Sequence, residues 1–114
     1  MSLKIYHNPR CTKSRQTLAL LQEAGHDFEV IEYLKTPLTL DQLQALQAVL
    51  GLPARQMMRS GEAIYKQLSL ATQNDEAALL AAMAEHPILL ERPVVRKGQK
   101  AVICRPPERI HEVL

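Results

Sequence analysis

The stretch HNPRCTKSR, residues 7–15, sets a cysteine between a short apolar segment and the start of a helical pattern. Leu3 to Tyr6 reads as a strand, and His7-Asn8-Pro9 as the loop that leaves it. From Lys13 to Ala24, the residues Thr17, Leu20, Leu21 and Ala24 recur at helical spacing, and Gly25 suits the position just past a helix C-terminus. Phe28 to Tyr33 is rich in β-formers and predicts a second strand. Cys11 therefore falls at a strand–helix junction within a β-α-β unit.

The rest of the chain extends this plan. Thr39-Leu40-Asp41-Gln42 fits a capping box, and Leu40, Leu43, Leu46 and Leu50 fall on one helical face before Gly51. Pro53 can open a short helix leading to Arg59. Asn74-Asp75-Glu76 opens another helix with its acids near the positive end; Leu79, Leu80 and Met83 form its apolar side, and His86-Pro87 stops it. Val94 to Arg96 and Ala101 to Cys104 predict a hairpin around Lys97-Gly98-Gln99-Lys100. A final helix follows Pro106-Pro107, with Ile110, Val113 and Leu114 turned inward. The order is β-α-β, a helical stretch, then β-β-α. This predicts one α/β domain over 1–114 of thioredoxin-like plan: a small mixed sheet flanked by helices, with a helical insertion at about 39–86.

Composition narrows the functional classes. The chain has 114 residues, 46% hydrophobic and 23% charged, with a formal net charge of +2. Its basic residues are interleaved with acids, without the concentrated stripe of a nucleic-acid binder. No apolar run approaches the roughly 18 residues that span a membrane. The start Met-Ser-Leu-Lys-Ile-Tyr does not read as a signal peptide. The expectation is a cytoplasmic protein with neither nucleic acid nor membrane as partner. Its two cysteines, far apart, read as free thiols rather than a disulfide framework.

The surroundings of Cys11 suit a reactive thiol. Thiolate is the nucleophilic form, and a helix N-terminus offers unpaired N–H groups and partial positive charge to stabilise it. Arg10, Lys13 and Arg15 add positive potential. An inert, core-packed cysteine is the competing reading, but core cysteines have apolar neighbours. His7 can approach the thiol through the loop, although a histidine that ends a strand is also an ordinary hydrogen-bonding group. Ser14 stands where C-x-x-C enzymes carry their second cysteine. Its hydroxyl can donate to a thiolate or a bound oxyanion, or serve the first helical turn. Any mixed disulfide on Cys11 must then be resolved by a thiol from elsewhere. Cys104 follows Val102-Ile103 and reads as a packed strand residue. No paired-ligand spacing supports a zinc site from His7, Cys11, Cys104 and His111, so no metal is expected.

Arg59, Arg92 and Arg105 each stand at an element boundary, the last two directly before a proline. Arginine is always charged and donates in a bidentate fork that matches tetrahedral oxyanions. Spacing alone does not bring the three together. In a thioredoxin-like sheet the loop before the third strand lies against the active-site cysteine, and a cis Arg92-Pro93 bond fits that loop.

These motifs together, H-N-P-R-C-x-K-S-R, M-R-S-G-E, H-P-I-L-L-E-R-P-V-V and C-R-P-P-E, resemble the glutaredoxin-coupled arsenate reductase family over essentially the whole chain. In length the chain is similar to the shorter, chromosomal members. The resemblance implies that Cys11 attacks arsenate and that Arg59, Arg92 and Arg105 bind the oxyanion and stabilise the arsenylated enzyme. It implies that His7 and Ser14 help keep the thiol ionised, and that Pro93 is the cis-proline of the core. It further implies glutathione as co-substrate, glutaredoxin as partner and no tightly bound cofactor, so that the resolving thiol is external. Two alternatives stand beside it: a general glutathione-linked thiol oxidoreductase, and a redox-sensitive regulator that binds RNA polymerase. Regulators of that kind commonly carry C-x-x-C, and Ser14 argues against that branch.

Overall fold

The computed structural model describes residues 3–114. The chain divides into two compact units: the chain through Thr36 with Arg92–Leu114, and Pro37–Glu91.

The first unit is built on a four-stranded sheet of β1 (Leu3–Tyr6), β2 (Glu29–Ile31), β3 (Val94–Lys97) and β4 (Lys100–Ile103), in the order β2-β1-β3-β4. β1 and β2 are parallel, so a crossover must join them, and helix α1 (Thr12–Glu23) supplies it. β3 is antiparallel to β1 and to β4. Strand alternation puts Leu3 and Ile5 of β1, Val95 of β3 and Val102 of β4 into one core with Leu21 of α1, Cys104, Ile110 and Val113. The register sets Ile5 opposite Val95 and Val95 opposite Val102, a row of branched side chains under the helix. That row holds the β1–α1 junction, and Cys11 with it, at one end of the sheet.

The predicted elements of this unit differ from the observed ones at their ends. β2 is shorter than Phe28–Tyr33, because the Glu32 carbonyl accepts the N–H groups of Lys35 and Thr36 and turns the chain out of the strand. The hairpin is tighter than expected. Lys97 and Lys100 pair with each other, leaving a two-residue turn in which Gly98 takes φ +60°. The last helix, Pro107–Glu112, is 3₁₀ rather than α, with Arg109 N–H bonded to Pro106 O and Val113 N–H to Ile110 O. Neither proline has an N–H to donate, and so short a segment tolerates the tighter winding.

In the second unit, α2 (Leu40–Leu50) has the predicted capping box. Gln42 N–H donates to Thr39 Oγ1 at 3.2 Å, and Thr39 N–H donates to Gln42 Oε1 at 2.9 Å. Gly51 ends the helix at φ +67°. Leu43 and Leu46 are buried, but Leu40 is 38% exposed. At 3.6 residues per turn, Leu40 lies roughly 120° around the helix from Leu46, at the edge of the buried stripe. A 3₁₀ turn (Ala54–Met57) and the short α3 (Ala63–Gln67) precede α4 (Glu76–Glu85), whose Leu79, Leu80 and Met83 are buried as expected. α2 and the Ala54–Met57 turn both pack on α4. Arg55 ties the segment together, donating to Tyr65 Oη at 2.6 Å, to Leu70 O at 3.0 Å and to Gln73 O.

Leu21 is fully buried between α1 and the sheet. Leu21→Ala is expected to lower the unfolding free energy by about 2–5 kcal/mol, the usual range for a cavity of that kind. A urea titration of the variant against the wild type measures it.

Candidate active site

The loop between β1 and α1 is dense in hydrogen bonds. Among the described residues, the buried polar side chains are His7, Asn8, Ser14 and Thr17, and the first three belong to this loop and the helical turn it enters. His7 N–H donates to Ile31 O at 2.8 Å, which ties the loop to β2. Asn8 Oδ1 accepts the Arg10 N–H at 3.0 Å, and the Asn8 carbonyl accepts the Cys11 N–H at 3.0 Å. Asn8 N–H donates to Ser14 Oγ at 3.0 Å, inside the first turn of α1.

Cys11 is the N-cap of α1, with extended backbone (φ −95°, ψ 124°) and no capping bond from its side chain. The thiol is thereby left next to the free N–H groups of the first turn. Partial burial pushes the Cys11 thiol up. The Ser14 N–H, the charge and hydrogen bond of the Arg92 guanidinium and the Lys13 N–H outweigh burial, and the net displacement is below the ordinary thiol value. The sulfur is partly exposed, with these donors beside it.

His7 Nδ1 and Ser14 Oγ share a 2.6 Å hydrogen bond, whose donor depends on the ring tautomer. The Ser14 side chain is engaged with His7 and the Asn8 N–H, and the Ser14 group that reaches the sulfur is its main-chain N–H. The sequence pointed instead to the hydroxyl as the donor. Burial pushes the His7 imidazole below its ordinary value, Glu32 opposes this and Arg15 reinforces it. A neutral buried imidazole contributes stability that is complete above about pH 6.5 and is lost as pH falls through the folded-state value, because the unfolded chain takes up the proton first.

The three arginines are placed differently. Arg92 precedes the cis Arg92-Pro93 bond, as expected from the sequence, and its guanidinium faces Cys11. Arg105 follows β4, and its guanidinium donates to the Arg92 carbonyl at 3.3 Å. A second cis bond, Arg105-Pro106, was not foreseen. Arg59 belongs to the second unit, where its N–H donates to Leu89 O at 2.7 Å and its Nε lies 3.1 Å from Glu62 Oε1. Arg10, Lys13 and Arg15 are exposed, and Arg15 donates to Pro9 O at 2.9 Å and Thr12 Oγ1 at 3.3 Å. Among the described residues, no three His, Cys, Asp or Glu side chains cluster as metal ligands would.

Cys104 is fully buried in the sheet core, and burial, with Arg109 opposing and Glu112 reinforcing, pushes its thiol up to about 12. Sequence reasoning missed Asn8, which makes three of the loop's hydrogen bonds. The signal was an asparagine before a proline, a pair that favours side-chain-closed turns. The two cysteines are expected to separate in a native alkylation experiment. Iodoacetamide is expected to modify Cys11 with a pH midpoint below the about 8.5 of a free thiol, and to leave Cys104 unmodified until the protein unfolds. Peptide mass spectrometry across a pH series reads both.

Residues 6–113 match the ArsC family. The chain is 51% identical to an arsenate reductase of Neisseria meningitidis serogroup B, over 98% of this chain and 97% of that one. It is 49% identical to the uncharacterized protein YfgD of Escherichia coli K12, over 98% and 96% of the two chains. The solved structure of an arsenate reductase from Vibrio cholerae superposes with a TM-score of 0.96 at 50% identity, covering 100% of this chain and 98% of that one. The mixed four-stranded open sheet flanked by helices is the thioredoxin-like fold of these relatives. With its cysteine at the head of α1 and this likeness along nearly its whole length, the chain belongs to the ArsC family.

Proposed function

We propose that this chain reduces arsenate to arsenite, with Cys11 as the nucleophile. The observation that carries the reading is the Cys11 sulfur at the N-terminus of α1, where the Ser14 and Lys13 N–H groups and the Arg92 guanidinium favour its anion. Relatives of about half identity that bear the name arsenate reductase support the substrate.

In this reaction the thiolate forms a bond to arsenic, and an arsenate oxygen leaves as water after taking up protons. The step is nucleophilic covalent catalysis. Arg92 offsets charge on the arsenate oxygens, and Arg105, held on the Arg92 carbonyl, extends the cationic surface beside it. Reduction follows when two external thiols, glutathione and a glutaredoxin thiol, become a disulfide. They give up two electrons, arsenic takes up two, and arsenite leaves Cys11 as the thiolate. Ser14 in place of a second cysteine accords with an external resolving thiol. The oxyanion role of Arg59 rests on its motif match alone. The proposed reductants are cytoplasmic thiols, so the proposed location is the cytoplasm. No helix among the described residues is long and apolar enough to cross a membrane.

The test is an NADPH-coupled assay with arsenate, glutathione, glutaredoxin and glutathione reductase. Cys11→Ser is expected to abolish turnover, since a hydroxyl is a poor nucleophile at neutral pH; retained activity sinks the assignment. Arg92→Ala is expected to lower kcat/KM by about 10²-fold, the range for loss of one preorganised donor. Because Arg92 also holds the thiol down, its loss raises the pH at which Cys11 ionises. The deficit is therefore expected to be larger at pH 6.5 than at pH 9, and a pH-rate profile of the two proteins reads the difference.

A further inference from the structure

The mechanism above gives no role to Asn8, a buried polar residue of the loop. Asn8 is only 4% exposed and carries no charge. Its polar atoms reach both sides of Cys11. Oδ1 accepts the N–H of Arg10, the residue before the cysteine. The carbonyl accepts the N–H of Cys11 itself. The main-chain N–H donates to the hydroxyl of Ser14, whose own N–H serves the sulfur. Each bond closes a turn of a different length, so together they restrict the backbone from residue 8 to the first turn of α1. The remaining polar group, Nδ2, makes no hydrogen bond among the described residues.

The N–H groups at a helix end point along the axis, and a hydrogen bond weakens steeply once its donor is misaligned. A thiol is a weak hydrogen-bond acceptor, so the side chain of a cysteine at a helix N-cap does little by itself to hold it there. The constraint must come from the preceding backbone. Arg10 and Lys13 are exposed, Pro9 has no N–H to give, and Arg15 reaches Pro9 O and Thr12 Oγ1 only through an exposed side chain.

We propose that Asn8 is a positioning residue for Cys11. Its hydrogen bonds to residues 10, 11 and 14 keep the sulfur in line with the N–H groups of the first helical turn. Its carboxamide suits the place because it accepts a hydrogen bond without bringing negative charge to the thiolate. This inference rests on Cys11 being the reacting thiol, as in the proposed function. Aspartate would keep the Oδ1 acceptor and exchange the unengaged Nδ2 for a charged oxygen, preserving the turn while opposing the anion. Serine would offer a shorter neutral acceptor for the same turn. Alanine would offer none.

The experiment compares wild type with Asn8→Ala, Asn8→Ser, Asn8→Asp and Asn8→Gln. Two quantities are read: the pH midpoint of iodoacetamide alkylation at Cys11, and the thermal midpoint by circular dichroism. Asn8→Ala loses the Oδ1 bond to the Arg10 N–H and keeps the two main-chain bonds, and the alkylation midpoint is expected to rise by up to about one unit as the loop loosens. Asn8→Ser is expected to return it toward wild type. Asn8→Asp is expected to melt near wild type and still titrate higher. A wild-type titration in folded Asn8→Ala, or a fall in thermal midpoint with the titration unmoved, overturns the proposal. Should Asn8→Ala not fold, Asn8→Gln decides, since its carboxamide is neutral and one methylene too long for the turn: a raised midpoint supports the proposal and an unmoved one overturns it. The titration uses no arsenate. A wild-type enzyme inactive on arsenate would remove the functional reading and leave this inference standing.

Discussion

A sulfur anion that loses water to partial burial must find other donors, or it takes up a proton. In this protein the donors are main-chain N–H groups of Lys13 and Ser14 and the guanidinium of Arg92, and together they outweigh burial. Two are fixed by helix α1, and the third by the chain entering β3. The lowered value of the Cys11 thiol therefore depends on the β1–α1 junction keeping its register on the sheet. Cys104 shows the other outcome. It sits in the apolar core with no comparable set of donors, and burial holds it protonated far above neutrality.

The helices record what this arrangement costs. α2 begins with Thr39 and a capping box and has Asp41 in its first turn. α4 begins with Asp75, whose carboxylate accepts the Ala77 N–H, and has Glu76 in its first turn. α1 begins with a cysteine that makes no capping bond, has no acid in its first turn and no base in its last. Lys13 stands instead beside its positive end. A missing cap costs about 0.5–2 kcal/mol, and misplaced charges a few tenths more. The longer helices of the Pro37–Glu91 unit, α2 and α4, follow the rules for stability, and the helix that carries the thiol departs from them. Such departures are expected at functional sites. They leave the N–H groups open for the sulfur and the local potential positive.

Much of this was readable in the chain itself. The capping box at Thr39, the stop at Gly51, the α4 face and the hairpin strands all rest on local chemistry that a short window contains. The cis Arg92-Pro93 bond was anticipated from proline chemistry and the expected fold together. Features that depend on competition between neighbours were less visible. Leu40 fits a leucine stripe in sequence, yet only packing decides which third of a helix is covered. The 3₁₀ winding of Pro107–Glu112 and the short α3 lie below the length at which periodicity separates one state from another.

At the site, the sequence by itself determined that a cysteine heads a helix amid cations, that no second cysteine follows it in the loop, and that arginines stand beside prolines at strand ends. These are matters of residue type and short spacing. Only the tertiary structure decided which group of Ser14 serves the sulfur, that Arg92 is the guanidinium facing it, that Arg105 is held on the Arg92 carbonyl, and that Asn8 ties the loop together. Each of these depends on where a donor points. Hydrogen bonds are short and directional, and the directions are set by strand register and loop closure rather than by the order of residues along the chain.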